Sequence, residues 1–507
     1  MASAELPARS LAAVLAALLA SCSAGPDFRP PAAPATDVYT ASPVAMQTVA
    51  AATTHGDAQR FVTDAGVGGA WWHALGSPRL DALIVQALQA SPTVAAAGAT
   101  LRQAQENRAA QAGSTRYPQV DAALAGQRQR LNPAALGQAG DTREFDVYNA
   151  SVGVHYQLDL AGGDRRALEA LTARVDYQRQ QLAGAQLTLA ANVVSTAIAQ
   201  AQLAAQLEAT EAMLQAQEEQ LALTRARVRL GTAAPDEAST LQTQVERTRA
   251  SVPQLRQQLQ QHDHLLAVLA GRAPGAGDLP SFRLAEFRLP TQLPVLLPSE
   301  LVRRRPDIQA AEALLHEANA DYGVTIAKLY PQLDLSANLG SQALSTGALF
   351  GNGSAAWALL AQLTQPLFDA GLPAKKRAAL AALDAAAANY QGVVLEALRS
   401  VADVLRALEN DAHILSAQAA AEASAQASLT AVSHRQALGA ASDTELLIAQ
   451  QQLQQTRIAL TAAQAQRLID SVALYQAMGG GDEPADAAVA LAPVAGTPGG
   501  AQAGSDR

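Results

Sequence analysis

The apolar and polar positions of this chain switch repeatedly between a period of two and a helical period. In "SVGVHYQLDL" the residues Val152, Val154, Tyr156, Leu158 and Leu160 alternate with Ser151, Gly153, His155, Gln157 and Asp159. In "QLDLSANLG" Leu333, Leu335, Ala337 and Leu339 alternate with Gln332, Asp334, Ser336 and Asn338. Such alternation predicts strands with one apolar face. Weaker partners lie at Val120 to Arg130 and at Trp357 to Leu367, which predicts four strands in two hairpins. Asn132-Pro133, Gly137 and Gly140, then Gly347, Gly351 and Gly353, supply the turn residues between them.

Helical runs flank each hairpin. One opens at Pro92 behind the N-cap candidate Ser91 and runs to Tyr117-Pro118; another opens at Pro306 behind Arg305 and runs to Tyr330-Pro331. After each hairpin comes a much longer run, Asp164 to Leu230 and Leu372 to Leu438, whose only proline is Pro373 in a first turn, where it is tolerated. At ~1.5 Å per residue each long run reaches about 100 Å, roughly three times a bilayer core. Leu207, Leu214, Leu221 and Val228 recur at sevens, with Leu415 and Leu429 as counterparts, which predicts coiled-coil packing. Pro92 to Arg116 with Asp236 to Ala270, and Pro306 to Leu329 with Ser442 to Met478, add up to nearly the length of a long run. Each half of the chain is therefore expected to supply one long column and one split column. A hairpin caps one end, and a turn at Gly231 or Gly439 closes the other.

The two halves are copies. "YPQVDAALAG" at Tyr117 returns as "YPQLDLSANLG" at Tyr330, an offset of 213, while "RVRLGTAAPDE" around Gly231 returns as "RQALGAASDTE" around Gly439, an offset of 208. "LAGGDRRALEAL" around Gly163 likewise returns as "FDAGLPAKKRAAL" around Gly371. A period this long marks duplication of a whole structural unit rather than a solenoid.

Composition sharpens the picture in two places. The 507 residues carry 36 Lys and Arg against 45 Asp and Glu, and no basic run with interleaved aromatics occurs, so a nucleic-acid surface is not expected. The single cysteine, Cys22, follows "LAAVLAALLA", which has the length of a signal-peptide core. Leu19-Ala20-Ser21-Cys22 resembles the bacterial lipobox, whose cysteine is acylated and becomes the first mature residue; the alternative is a buried free cysteine at a helix end. No run past this segment has eighteen uninterrupted apolar residues, so no transmembrane helix is expected, and a membrane crossing would fall to the strands. Four strands cannot close a barrel, and an open edge is not tolerated in lipid, so the chain is expected to oligomerise. Two chains would give roughly eight strands and a filled interior, three about twelve and room for a lumen.

Longer stretches carry a family resemblance. "LVRRRPDIQAAEALLHEANADYGVTIAKLYPQLDLSANLG", "WWHALGSPRLDALIVQAL", "CSAGPDFRPP" and "SVALYQAMGGG" resemble the TolC/OprM-type outer-membrane factors, lipoprotein branch, from Cys22 to Gly481. The resemblance implies an α+β membrane protein: a homotrimer whose 12-stranded outer-membrane β-barrel joins a long α-helical periplasmic barrel. A mixed equatorial region would hold Trp71 to Leu88, Gly271 to Glu300 and the C-terminal end. It implies a passive exit duct for drugs or other small molecules, fed by an inner-membrane transporter, usually of the resistance-nodulation-division class, through a periplasmic adaptor. A type I protein-secretion duct on the same fold and a non-channel trimeric coiled-coil protein are the alternatives; the duplicated hairpins argue against the last.

The expected division is a signal peptide at 1–21, an extended and equatorial segment at 22–90, repeats at 91–290 and 291–481, and a disordered tail at 482–507. Neither catalysis nor a cofactor is expected. His262-Asp263-His264 do not share a helix face and so do not suggest a metal pair. Cys22 is the expected site of lipid attachment. The tip turns Leu230-Gly231-Thr232 and Leu438-Gly439-Ala440 correspond to the family's adaptor contacts. Where relatives often carry an aspartate nine residues past the second tip glycine, this chain has Ile448, and the first copy has Thr240. Thr444, Ile448 and Gln451 share a helix face and are the expected pore constriction, with Asp443 and Glu445 as rivals.

Overall fold

The structure is a computed structural model that describes residues 24–63, 68–133, 137, 139 and 141–481. Cys22, Gly140, the signal segment and the tail after 481 lie outside the described residues. In chain order the main elements are β1 (Arg60–Val62), α1 (Pro78–Ala90), α2 (Pro92–Arg116), β2 (Gln119–Leu131), β3 (Arg143–Leu158), α3 (Gly163–Arg229) and α4 (Pro235–Leu269). There follow β4 (Gln292–Pro294), α5 (Pro298–Arg304), α6 (Pro306–Ala327), β5 (Gln332–Ala343), β6 (Ala355–Thr364), α7 (Gly371–Ala437) and α8 (Asp443–Ala477). The chain forms two compact units, one of residues 24–31, 100–179 and 310–391, the other of residues 32–99, 180–309 and 392–481.

The first unit is built on a four-stranded antiparallel sheet of order β2-β3-β5-β6. Its register puts Val120, Val154, Ala337 and Leu359 in one row and Ala122, Val152, Leu339 and Trp357 in the next. The opposite face carries Gln119, His155, Ser336 and Leu360, then Asp121, Gly153, Asn338 and Ala358. From Val120 to Gly126 and from Tyr148 to Leu158 one face is thus mainly apolar and the other mostly polar, as the alternation predicts. Two strand ends differ from expectation. β6 stops at Thr364, because Pro366 has no amide to donate. β3 stops at Leu158, because the Asp159 carboxylate accepts from the Arg165 amide at 3.0 Å and starts α3.

Residues 24–28 are docked onto helices from both copies. Ala24 N–H donates to Ala161 O at 2.9 Å. Arg166, almost fully buried, donates to Ala24 O at 3.1 Å and to Asp27 and Glu169 carboxylates at 2.7 Å each. Asn319 donates to Pro26 O at 3.1 Å, and Phe28 stacks on His316 with ring centroids 4.2 Å apart. Gly25, at φ +83°, lies so close to Gly323 that a Cβ would sit 2.8 Å from the Gly323 Cα.

In the second unit β1 and β4 pair in parallel, Trp71 stacks on Tyr475 at 5.5 Å, and Leu75 O accepts from Arg288 N–H at 2.7 Å. The stretches around Trp71, around residue 290 and at the end of α8 therefore meet. Arg467 of α8 is fully buried, and its guanidinium donates to Thr48, His55, Asp57 and Gln59 oxygens at 2.7–3.2 Å. It ties the irregular 48–59 segment to the helix.

Each of the two 67-residue helices, α3 and α7, contains an eighteen-residue window apolar enough by composition to cross a bilayer, which corrects the expectation that no helix qualifies. The requirement for uninterrupted apolar residues missed these windows because alanine and leucine are diluted there by Gln, Ser and Thr.

Asp411 of α7 is half-buried, with the Asp470 carboxylate of α8 as a neighbour. Burial first, then Asp470, push the Asp411 pKa up to about 8, against a lowering by Arg467. The folded state therefore holds a proton that the unfolded chain releases near pH ~4, and this contribution to stability is lost as pH rises through about 8. Asp411→Asn keeps the shape of the side chain and removes the titrating group. Its thermal midpoint is expected to exceed that of the wild type at pH 9 and to match it more closely at pH 5, as checked by melts across that range.

Candidate functional site

The helix pairs α3–α4 and α7–α8 end in matched turns. Gly231 and Gly439 both have φ +74°, the left-handed conformation that ends a helix, and no atom lies within 4 Å of a Cβ built on either. Gly231 N–H donates to Val228 O and Thr232 N–H to Arg227 O; Gly439 N–H donates to Gln436 O and Ala440 N–H to Arg435 O, all at 2.8–3.0 Å. Leu230 and Leu438, just before the glycines, are 78% and 84% exposed. Two large apolar side chains thus project into solvent beside a rigid, hydrogen-bonded turn.

Behind the turns, Leu447 of α8 packs into a buried cluster with Leu221 of α3 and with Leu241 and Val245 of α4, and Leu214 borders it. Leu214 and Leu221 belong to the sevenfold spacing in the sequence. Burial of Leu447 sets the rotation of α8 and leaves Thr444 and Ile448 exposed, the latter at 59%, with Gln451 half-buried. The two rival carboxylates are engaged. Asp443 accepts from Arg227 of α3 at 2.5 Å and from Gln436 at 2.7 Å. Glu445 forms a capping box with Ser442 and pairs with Arg435 at 3.3 Å.

Sequence reasoning missed Arg227 and Gln436. A signal was present: Arg227 and Arg435 each stand four residues before a tip glycine, so the repeat supplies two equivalent cations. Only the fold gives them different partners, one within its own copy and one across copies. Farther from the tip, Glu218–Arg249 and Glu211–Arg256 link α3 to α4 at 2.6 Å each, and Glu422–Arg457 links α7 to α8 at 3.2 Å. Exposed pairs of this kind are screened by solvent and add little to stability. Asp263 accepts from Gln200 at 2.6 Å rather than joining its neighbouring histidines. Among the described residues no group of three His, Cys, Asp or Glu is arranged to hold a metal.

The outer membrane efflux protein family model matches residues 83–272 and 297–480, one segment for each copy. The chain belongs to that family. Among this family's efflux proteins, it is 31% identical to the probable efflux pump outer membrane protein TtgC of Pseudomonas putida, over 92% of this chain and 94% of that one. It is 30% identical to outer membrane protein OprJ of Pseudomonas aeruginosa, over 94% and 96%. Among solved structures, the outer-membrane channel OprN aligns with TM-score 0.81 at 27% identity, covering 91% of this chain and 99% of that one. The open-state MtrE channel of Neisseria gonorrhoeae aligns with TM-score 0.77 at 25% identity, over 91% and 98%. This outer membrane efflux protein accordingly resides in the outer membrane with a large periplasmic part and has the TolC-like channel fold.

Because nothing crowds either tip glycine, Gly231→Ala and Gly439→Ala meet conformational strain alone, about 1 kcal/mol each. Both variants are expected to keep a normal far-UV circular dichroism spectrum while proteolysis at the tips accelerates severalfold, as read by mass spectrometry of the first fragments.

Proposed function

We propose that the chain is the outer-membrane exit duct of a tripartite efflux pump, working passively as a homotrimer. It would pass drugs or other small molecules received from an inner-membrane transporter, of the resistance-nodulation-division class, through a periplasmic adaptor. The observation that carries this reading is the sheet with one apolar face. Along β3 the apolar face holds Tyr148, Ala150, Val152, Val154, Tyr156 and Leu158 and gives way to Asp146 and Glu144 beyond Tyr148. Ten residue steps at ~3.4 Å and a tilt of about 40° span about 26 Å, the height of an outer-membrane apolar band. Gln119, Asp121, His155, Gln157, Asp334 and Ser336 on the other face suit a water-filled lumen. The strands, rather than the alanine-rich windows of α3 and α7, are the membrane-crossing elements in this reading, and three chains supply twelve.

The remaining assignments belong to the same proposal. The division into 22–90, 91–290 and 291–481 follows the two copies. Cys22 carries the lipid: docking of Ala24 against Ala161, just past the end of β3, supports an anchor at the sheet's border with the helices. Leu230, Gly231 and Thr232 with Leu438, Gly439 and Ala440 meet the adaptor. Thr444, Ile448 and Gln451 line the constriction, supported by the exposure of Ile448 and by the engagement of Asp443 and Glu445 in pairs. Three isoleucines would narrow the pore by apolar contact without the cation attraction of a carboxylate ring.

Two measurements test this. Cys22→Ser is expected to abolish incorporation of labelled palmitate while trimer still forms; an unmodified mature Cys22 by mass spectrometry overturns the anchor. In single-channel recordings Ile448→Asp is expected to raise cation selectivity and block by divalent cations several-fold. Unchanged selectivity and block would remove Ile448 from the constriction.

A further inference from the structure

The two long helices begin differently. At an offset of 208, Ala167, Leu168 and Glu169 of α3 correspond to Lys375, Lys376 and Arg377 of α7. In the first copy the cations at the helix start are spent within the chain: Arg166 is buried and donates to the Asp27 carboxylate of the docked N-terminal segment, and Arg165 pairs with Asp159 at 3.6 Å. In the second copy every residue from Pro373 to Ala378 is exposed, and among the described residues Lys375, Lys376 and Arg377 meet no carboxylate. Three consecutive helical positions fan over about 200°, so one helix laid alongside cannot cover all three.

The apolar surface next to them is equally bare. β6 ends at Thr364, and the Gln365 side-chain amide donates to Leu329 O at 3.0 Å, which ties the chain to the segment just past α6. Leu367 and Phe368 follow, 94% and 90% exposed. Tyr330, which precedes β5, is also exposed, as is Tyr117 at the matching point before β2. A Leu-Phe pair and two tyrosines thus stand at the helix-side ends of the strands that carry the apolar face, where aromatic residues border a bilayer. Lys375 lies only about 6 Å along the axis from the start of α7 at Gly371, so its flexible side chain reaches back to this border.

We infer that Lys375, Lys376 and Arg377, together with Leu367 and Phe368, form a seat for an anionic phospholipid of the leaflet that faces the periplasm. The cations hold the headgroup phosphate and the apolar pair holds the acyl chains. This rests on the reading of the strands as the membrane-crossing elements, with α7 starting on their periplasmic side. Charge complementarity carries the choice of ligand. A basic cluster beside a membrane attracts anionic headgroups, each cation adding roughly a factor of five. Asp369, the acid nearest in sequence, does not neutralise the cluster, because its carboxylate accepts from the Gly371 amide at 2.7 Å. A free phosphate would use the cations alone, whereas Leu367 and Phe368 give a lipid a second point of attachment. The first copy shows the same end of the helix at work on an anion, since Arg166 there holds a carboxylate brought from elsewhere in the chain.

Native mass spectrometry of the full-length protein tests the seat, with phosphatidylglycerol and phosphatidylethanolamine titrated separately. The wild type is expected to hold phosphatidylglycerol roughly ten-fold more tightly. Combining Lys375→Gln, Lys376→Gln and Arg377→Gln is expected to remove that preference, and Leu367→Ser with Phe368→Ser to weaken phosphatidylglycerol several-fold. Arg247→Gln, which removes an exposed cation of α4, is expected to leave it unchanged. A preference that survives in the triple variant overturns the seat. A triple variant that falls apart into single chains, beside a wild type without lipid preference, gives the cations to a second copy and overturns it as well. Displacement of the lipid by inorganic phosphate, with no effect of the serine pair, overturns the lipid in favour of a free anion. A wild type that inserts into vesicles of neither lipid overturns the reading of the strands itself.

Discussion

A backbone amide facing hydrocarbon has nothing to bond to, and a sheet edge presents a row of them. The four-stranded sheet satisfies this constraint internally along β3 and β5 and leaves it open along β2 and β6. The duplication makes that arrangement economical in information. Two hairpins of one design, β2–β3 and β5–β6, are joined through a single antiparallel junction, β3 with β5. The alternation of apolar and polar residues then needs only to keep phase through each strand, because a slip of one position would move Gln and Asp of the polar face onto the apolar one.

The helical part obeys a different constraint, that of keeping long helices in one rotation about their axes. Short side chains such as Ala173 and Ala397, both fully buried, let the helices approach closely, but alanine alone fixes rotation poorly. Larger residues at intervals do so: Leu447 in its pocket with Leu221, Leu241 and Val245, Leu415 fully buried, and Arg467 with its donors spent on the 48–59 segment. Rotation fixed at Leu447 dictates which side of α8 is left bare, so the character of the exposed Ile448 side is a consequence of packing on the opposite side.

Much of this was legible in the sequence where a period carries the information. Val152 through Leu158 announced a strand, Leu214 and Leu221 a helix seam, and Gly231 and Gly439 the turns. β2 was harder to read because Ala122, Ala123, Ala125 and Gly126 blur the alternation; Tyr148 lies over Gly126 and restores the contact surface that the glycine lacks, 3.3 Å from where its Cβ would be. The pairing of Asp443 with Arg227 was not legible: the repeat marks the arginine, but nothing in it says which carboxylate, 216 positions away, it meets. Arg467 was missed for a related reason. A single arginine on a helix reads as solvated, and its acceptors, including the His55 and Asp57 carbonyls, lie on loop backbone, which has no period.

The seat for residues 24–28 has a consequence for the order of events in biogenesis. Half of that seat, Arg166 and Glu169, comes from the first copy; the other half, His316, Asn319 and Gly323, comes from the second. Residues 24–28 therefore have no complete seat until α6, some three hundred positions later, has packed on α3. The segment at 24–28 becomes enclosed only when the two copies have come together.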